Sequence, residues 1–156
     1  MNNFNFSNLT VPIIQAPMAG GICTPLLAST VSNSGAIGSF GFAYSKQETI
    51  DETLLQTKKL TKGYLNANFF IFHKTPCPNK KLLDSAIRAL SSLSLKEKYL
   101  PKIPEKPFFP DLQEQLEPVW YHRPKILTFH LGIPNVSIID KAKSLGIKVG
   151  ISATNL

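Results

Sequence analysis

Three places in this 156-residue chain set a polar or small side chain within or at the end of an apolar run, where chemistry can be done at the margin of a core. His130 closes the run Ile126, Leu127, Thr128, Phe129. An imidazole, with an ordinary pKa of ~6.5, can exchange a proton near neutral pH, although a lone histidine beside an apolar strand is also at home as a packed residue. Asn66 and Asn68 interrupt the apolar run 63–72 and, two residues apart, share one strand face. A buried amide must find a partner, either a neighbouring strand end or a ligand. The third place is residues 11–21, V-P-I-I-Q-A-P-M-A-G-G. Gln15 closes its apolar run, and Pro17, Met18, Ala19, Gly20 and Gly21 form a turn whose backbone amides can approach a flat or anionic ligand closely. An ordinary strand-to-helix connection, with Met18 as a core filler, fits the same spacing.

The elements that must position these residues alternate. Residues 11–14 are too few for a helix and predict a strand buried on both faces. Thr24 can cap a helix that opens on Pro25, carries Leu26, Leu27, Thr30 and Val31, and stops at Gly35. Residues 36–40 predict a second strand. The capping-box spacing Ser45-Lys46-Gln47-Glu48 then predicts a helix from Lys46 to about Leu60, with its acids early and its lysines late. Residues 63–72 give a third strand. Leu83, Ile87 and Leu90 recur at a helical period within 80–93, residues 101–110 are rich in proline, and Asp111 can cap a short helix through Leu116. Residues 126–131 predict a fourth strand, Asn135 a capped helix ended by Gly146, and residues 148–152 a fifth strand. Strands alternating with helices imply an α/β fold of about five parallel strands with right-handed crossovers, in one domain covering 1–156, with residues 75–122 as an irregular, partly helical insertion between the third and fourth strands.

Composition narrows the function classes. The net charge of +7 comes from 17 Lys and Arg against 10 Asp and Glu. No run of five basic residues occurs and no aromatic residues interleave with the lysines in a nucleic-acid-binding pattern, so they read as solvated helix faces rather than a nucleic-acid patch. Cys23 and Cys77 lie far apart without metal-ligand spacing, which predicts free thiols and no metal site. No apolar run reaches the ~18 residues of a membrane span and no basic leader precedes an apolar core, so the expected location is the cytoplasm. His73 and His122 read as ordinary surface or packing residues.

Five blocks in order carry a family resemblance: residues 12–21 with Thr24-Pro25, then Val31-Ser32-Asn33-Ser34-Gly35-Ala36-Ile37-Gly38-Ser39, Asn68-Phe69-Phe70, Phe129-His130-Leu131-Gly132-Ile133-Pro134, and Gly150-Ile151-Ser152-Ala153-Thr154. Together they resemble the nitronate monooxygenases, FMN-dependent TIM-barrel enzymes formerly called 2-nitropropane dioxygenases. The resemblance implies a partial (β/α)8 barrel, since a complete one takes ~250 residues. It implies that His130 is the active-site base, that Asn68 and the loop of Pro17, Met18 and Ala19 bind FMN, and that a nitronate or nitroalkane is oxidised by O2 to a carbonyl compound and nitrite. The family's Gln-Gly-x-Glu-Ala-Gly-Gly-His stretch and its phosphate-gripping glycine loops would fall beyond Leu156, so the chain reads as the shortened N-terminal portion of such an enzyme. Two other readings stand beside it. One is a non-catalytic module whose open sheet edges self-associate or pair with a separate C-terminal half. The other is a flavin-dependent enoyl-acyl-carrier-protein reductase, which shares a similar opening strand.

Overall fold

The computed structural model describes residues 5–72, 78–93 and 107–154. Residues 1–72 with 110–156 form one compact unit, and residues 73–109 a second. Four parallel strands lie side by side in chain order in the first unit: β1 (Gly38–Gly41), β2 (Leu65–Phe70), β3 (Ile126–His130) and β4 (Lys148–Ile151). Parallel neighbours require crossovers, and helices supply them. In chain order the unit's helices are α1 (Pro25–Asn33) before β1, α2 (Gln47–Leu60) after it, α4 (Leu112–His122) before β3 and α5 (Val136–Ser144) between β3 and β4. The second unit holds α3 (Lys80–Ser91), which Asn79 caps by accepting from the Leu82 N–H at 2.9 Å and which buries no residue. Among the described residues no helix is long and apolar enough to cross a membrane.

The core follows from the pleat. Phe40, Ala67, Phe69, Leu127 and Phe129 alternate with polar or small residues along their strands, and they are buried together with Ile50 and Leu54 of α2, Leu116 and Val119 of α4, and Ile138 and Ala142 of α5. Helix and sheet approach closely at Gly38, where an added Cβ would stand 2.0 Å from the Ala28 carbonyl oxygen of α1.

Three expectations need correction. Residues 11–14 do not form a strand buried on both faces: pairing reduces to a single parallel bridge between Ile14 and Ile37, and Ile13 and Ile14 are 58% and 41% exposed. Pro12 has no N–H, the Ile13 N–H turns back to the Val11 carbonyl at 2.8 Å, and no strand pairs on the far side among the described residues. The sheet therefore has four strands and one bridge rather than five strands. The helix after Ser45 starts at Gln47 with Lys46 at its cap and no side-chain capping bond. Ser45 lies one residue before the cap and belongs to the preceding turn, its N–H donating to the Phe42 carbonyl at 3.0 Å and its carbonyl accepting from Gln115 Nε2 at 2.8 Å. The helix expected to stop at Leu116 runs through Pro118 to His122. An interior proline costs about 3 kcal/mol, but stopping early would leave Val119 and Trp120, both buried here, without their places against the core. Residues 112–122 of the expected insertion thus lie in the sheet unit.

Gly38→Ala should lower the stability of the chain by about 1–3 kcal/mol, because neither partner at the contact is a movable side-chain end. Urea denaturation checks this. A midpoint unchanged from the parent would show that α1 slides freely on the sheet.

Candidate active site

The face of the sheet opposite the helices has a small apolar cluster of Ile37 and Ile126 at its amino end and polar residues above it. In parallel strands, residues in register share a face, and the register sets Ser39 beside Asn66, then Gly41 beside Asn68, Thr128 and Gly150, then Phe70 beside His130. These rows climb towards the carboxyl ends of the strands. Asn66 and Asn68 are 1% and 2% exposed, so their amides need internal partners. Asn66 Nδ2 donates to Ser39 Oγ at 3.3 Å, and Asn66 Oδ1 accepts from Thr128 Oγ1 at 3.0 Å. Asn68 Nδ2 donates to Thr128 Oγ1 at 2.8 Å and to the Thr128 carbonyl at 3.2 Å. One hydroxyl thereby joins both amides. Thr128 was not singled out from the sequence, although its place two residues before His130 puts it on the same face.

His130 stands one row above Asn68. Its Nδ1 is hydrogen-bonded to Ser152 Oγ, just past β4, and the Phe70 ring meets it edge-on with centroids 6.2 Å apart. Phe70 continues into a small aromatic cluster with Tyr44 and Phe72. Directly after His130 the backbone turns through Leu131 at φ 68°, a left-handed conformation costing a non-glycine residue about 1–2 kcal/mol. Ser152 was also missed as a site residue, although it ends the last predicted strand and lies in the last of the five family blocks.

The third predicted element reaches the same face from the β1 side. Because Gly41 lacks a side chain, the peptide joining Met18 to Ala19 lies directly on it: a Cβ there would stand 2.6 Å from both the Met18 carbonyl carbon and the Ala19 nitrogen. Gly41 pairs in register with Asn68, and the Phe42 N–H donates to the Asn68 carbonyl at 2.8 Å. Met18 is 39% exposed and so is not a core filler. Pro17 and Ala19 are half-buried, while Gly20 and Gly21 complete the turn at φ 86° and 89°. The structure therefore brings Pro17, Met18, Ala19, Asn68 and His130 to one end of one face. His122 is elsewhere: it is buried between α4 and α2, with Nε2 2.8 Å from Asp51 Oδ1 and Nδ1 without a hydrogen-bond partner. Cys23 is a buried free thiol, whereas His73 and Cys77 lie outside the described residues.

Parallel strands in sequential order, helices on one face and polar residues gathered at the carboxyl ends define part of a (β/α)8 barrel with its mouth on the inner face. The chain belongs to the nitronate monooxygenase family, whose model matches residues 4–156. It is 35% identical over 154 residues to the nitronate monooxygenase of Paraburkholderia phytofirmans, covering 93% of this chain and 40% of that protein. It is 31% identical to the nitronate monooxygenase of Pseudomonas aeruginosa, covering 92% and 41%. Among solved structures, nitroalkane oxidase from Streptomyces ansochromogenes superposes with a TM-score of 0.79 at 22% identity, over 96% of this chain and 42% of that one. FabK from Thermotoga maritima shares the fold with a TM-score of 0.63 at 18% identity, over 93% and 35%. The chain thus spans about 40% of the length of the curated relatives it matches.

Thr128→Val keeps the shape of the side chain but removes the hydroxyl, leaving the buried Asn66 Oδ1 without its donor. A loss of about 1–3 kcal/mol is expected from chemical denaturation. No loss would mean that the two asparagines do not depend on this bridge.

Proposed function

We propose that this chain carries the mouth of an FMN-dependent enzyme that oxidises alkyl nitronates with O2 to carbonyl compounds and nitrite. The observation that carries the reading is the convergence of the Met18–Ala19 peptide, the Asn68 amide and the His130 imidazole on one face at the carboxyl ends of the strands. Family membership supports it.

The donor set suits the ring of the cofactor rather than its phosphate. A flat backbone segment, an amide and an imidazole line the mouth, while Lys148, the one lysine or arginine within the four strands, sits in register with Ile126 at the amino end of the sheet. In this reading Met18 and Ala19 lay their backbone against the ring and Asn68 bonds its polar edge. Bound flavin supplies the electron chemistry between nitronate and oxygen. His130 handles the proton and the charge of the substrate. When its Nδ1–H donates to Ser152 Oγ, Nε2 holds the free lone pair and can remove the proton from the carbon bearing the nitro group. In the opposite tautomer Nε2–H can donate to an oxygen of a substrate that arrives already ionised. Ser152 Oγ, which can accept from Nδ1–H or donate to Nδ1, holds the ring in place for either role.

The test is nitrite release by this chain co-expressed with the remaining segment of the Paraburkholderia relative and supplied with FMN. Nitrite from alkyl nitronates, together with flavin absorbance that co-purifies, is expected, and the absence of both would end the reading. His130→Gln should lower the rate with neutral nitroalkanes by about 10²–10⁴-fold, the usual worth of a positioned base, with a smaller loss on preformed nitronates. Equal losses on the two substrate forms would remove the base role.

A further inference from the structure

The ladder between residues 13–17 and β1 breaks at a position that the sequence explains. In β1 the even-numbered amides face β2, as Gly38 N–H to the Tyr64 carbonyl shows, while Ile37 and Ser39 face the other edge. Ile37 is flanked in regular parallel fashion: its N–H donates to the Ile13 carbonyl at 3.0 Å and its carbonyl accepts from the Gln15 N–H at 2.9 Å. Continuing the pattern by two residues would join the Ser39 N–H to the Gln15 carbonyl and the Ser39 carbonyl to the N–H of residue 17. Residue 17 is proline and has no N–H. Ser39 is fully buried, so both of its peptide groups need other partners.

The side chain of Gln15 supplies both. Its Oε1 accepts from the Ser39 N–H at 3.4 Å and its Nε2 lies 3.4 Å from the Ser39 carbonyl, so a side-chain amide takes the place of the next peptide of the ladder. The same Nε2 donates to Cys23 Sγ at 3.3 Å, and that sulfur also accepts from the Met18 N–H at 3.3 Å while its own proton faces the Ala16 carbonyl at 3.8 Å. With its pairing duty discharged by a side chain, the backbone after Gln15 is free to leave the sheet edge and cross onto Gly41, and Cys23 holds it there. We infer that Gln15, acting through the buried Cys23 thiol, is the positioning residue that ends the ladder at Pro17 and seats the Met18–Ala19 peptide over the mouth. Its consequence for flavin rests on the function proposed above, but its consequence for the loop does not.

Amide hydrogen exchange on the flavin-free chain reads the loop directly. Gln15→Leu should speed exchange of the Ser39 and Met18 amides by about tenfold or more, with the Ala67 and Leu127 amides of the central strands unchanged. Cys23→Ala keeps Gln15 on Ser39 and should speed Met18 alone. If Gln15→Leu does not fold, Gln15→Glu retains the acceptor for the Ser39 N–H and loses both donations, so Met18 should be released while Ser39 stays protected. Unchanged exchange at Met18 in these variants, or equal acceleration of all four amides, would overturn the inference. In the complemented protein, FMN titration should show binding weakened about tenfold or more by Gln15→Leu, but not by Gly38→Ala, which loosens the fold without touching the loop. Equal weakening by both would reduce Gln15 to a general stabiliser. If the parent protein binds no FMN, the functional reading fails and the exchange rates alone decide the role of Gln15.

Discussion

The structure depends on one row of strand register, in which Gly41, Asn68, Thr128 and Gly150 lie side by side. Strand faces alternate with a period of two, so a slip of one residue anywhere in this row would exchange the apolar face for the polar one. Such a slip would turn Phe69 and Phe129 away from the helices and bury Asn68 and Thr128 among them. The row also joins the glycine on which the Met18–Ala19 peptide rests to the asparagine beside it. Packing of the core and assembly of the mouth are therefore set by the same pairing.

The polar face keeps its order through the Thr128 hydroxyl, which bonds to both asparagine amides. Asn66 is bonded at both ends of its amide, to Ser39 and to Thr128, and is the lower of the two asparagines on the sheet. Asn68 is one row higher, and His130 one row higher again. By strand periodicity alone the two asparagines were equivalent, both polar, both in one strand and on one face, and only the family resemblance pointed to Asn68. Register separates them by depth, and Asn68 is the one level with Gly41 and the loop that crosses it.

How far the sequence could be read follows from the physical source of each signal. The apolar runs 63–72 and 126–131, the Thr24 cap with Pro25 behind it, and the turn at Gly35 are local, and the helix Pro25–Asn33 and the strands Leu65–Phe70 and Ile126–His130 form within the bounds those residues set. The segment 11–14 was misread because a continuous apolar run does not say whether its backbone donors are available, and at Pro12 one is missing. The helix to His122 was cut short because Pro118 is a strong local breaker, while the burial that overrides it comes from residues far away in sequence. At the mouth, His130, Asn68 and the Met18 loop were legible as polar or small residues at strand ends. Thr128, Ser152 and the side-chain pairing of Gln15 were not, because a hydroxyl or an amide gains meaning only when its partner strand is known.

The three parts of the mouth also approach from different strands. The Met18–Ala19 peptide rests on β1, Asn68 belongs to β2, and His130 belongs to β3 with Ser152 just beyond β4. Parallel strands lie ~4.8 Å apart, so the loop and the imidazole are separated by roughly 10 Å with the amide between them. A small compact ligand could not touch all three at once, whereas an extended planar one could lie across the row with a substrate at its His130 end. The left-handed Leu131 bears on that end, since it bends the chain away just after the imidazole instead of letting β3 continue upward as a wall. Local strain there and the ladder break at Pro17 on the opposite side act in the same sense: both interrupt regular pairing at the height where the sheet stops being a core and becomes a site.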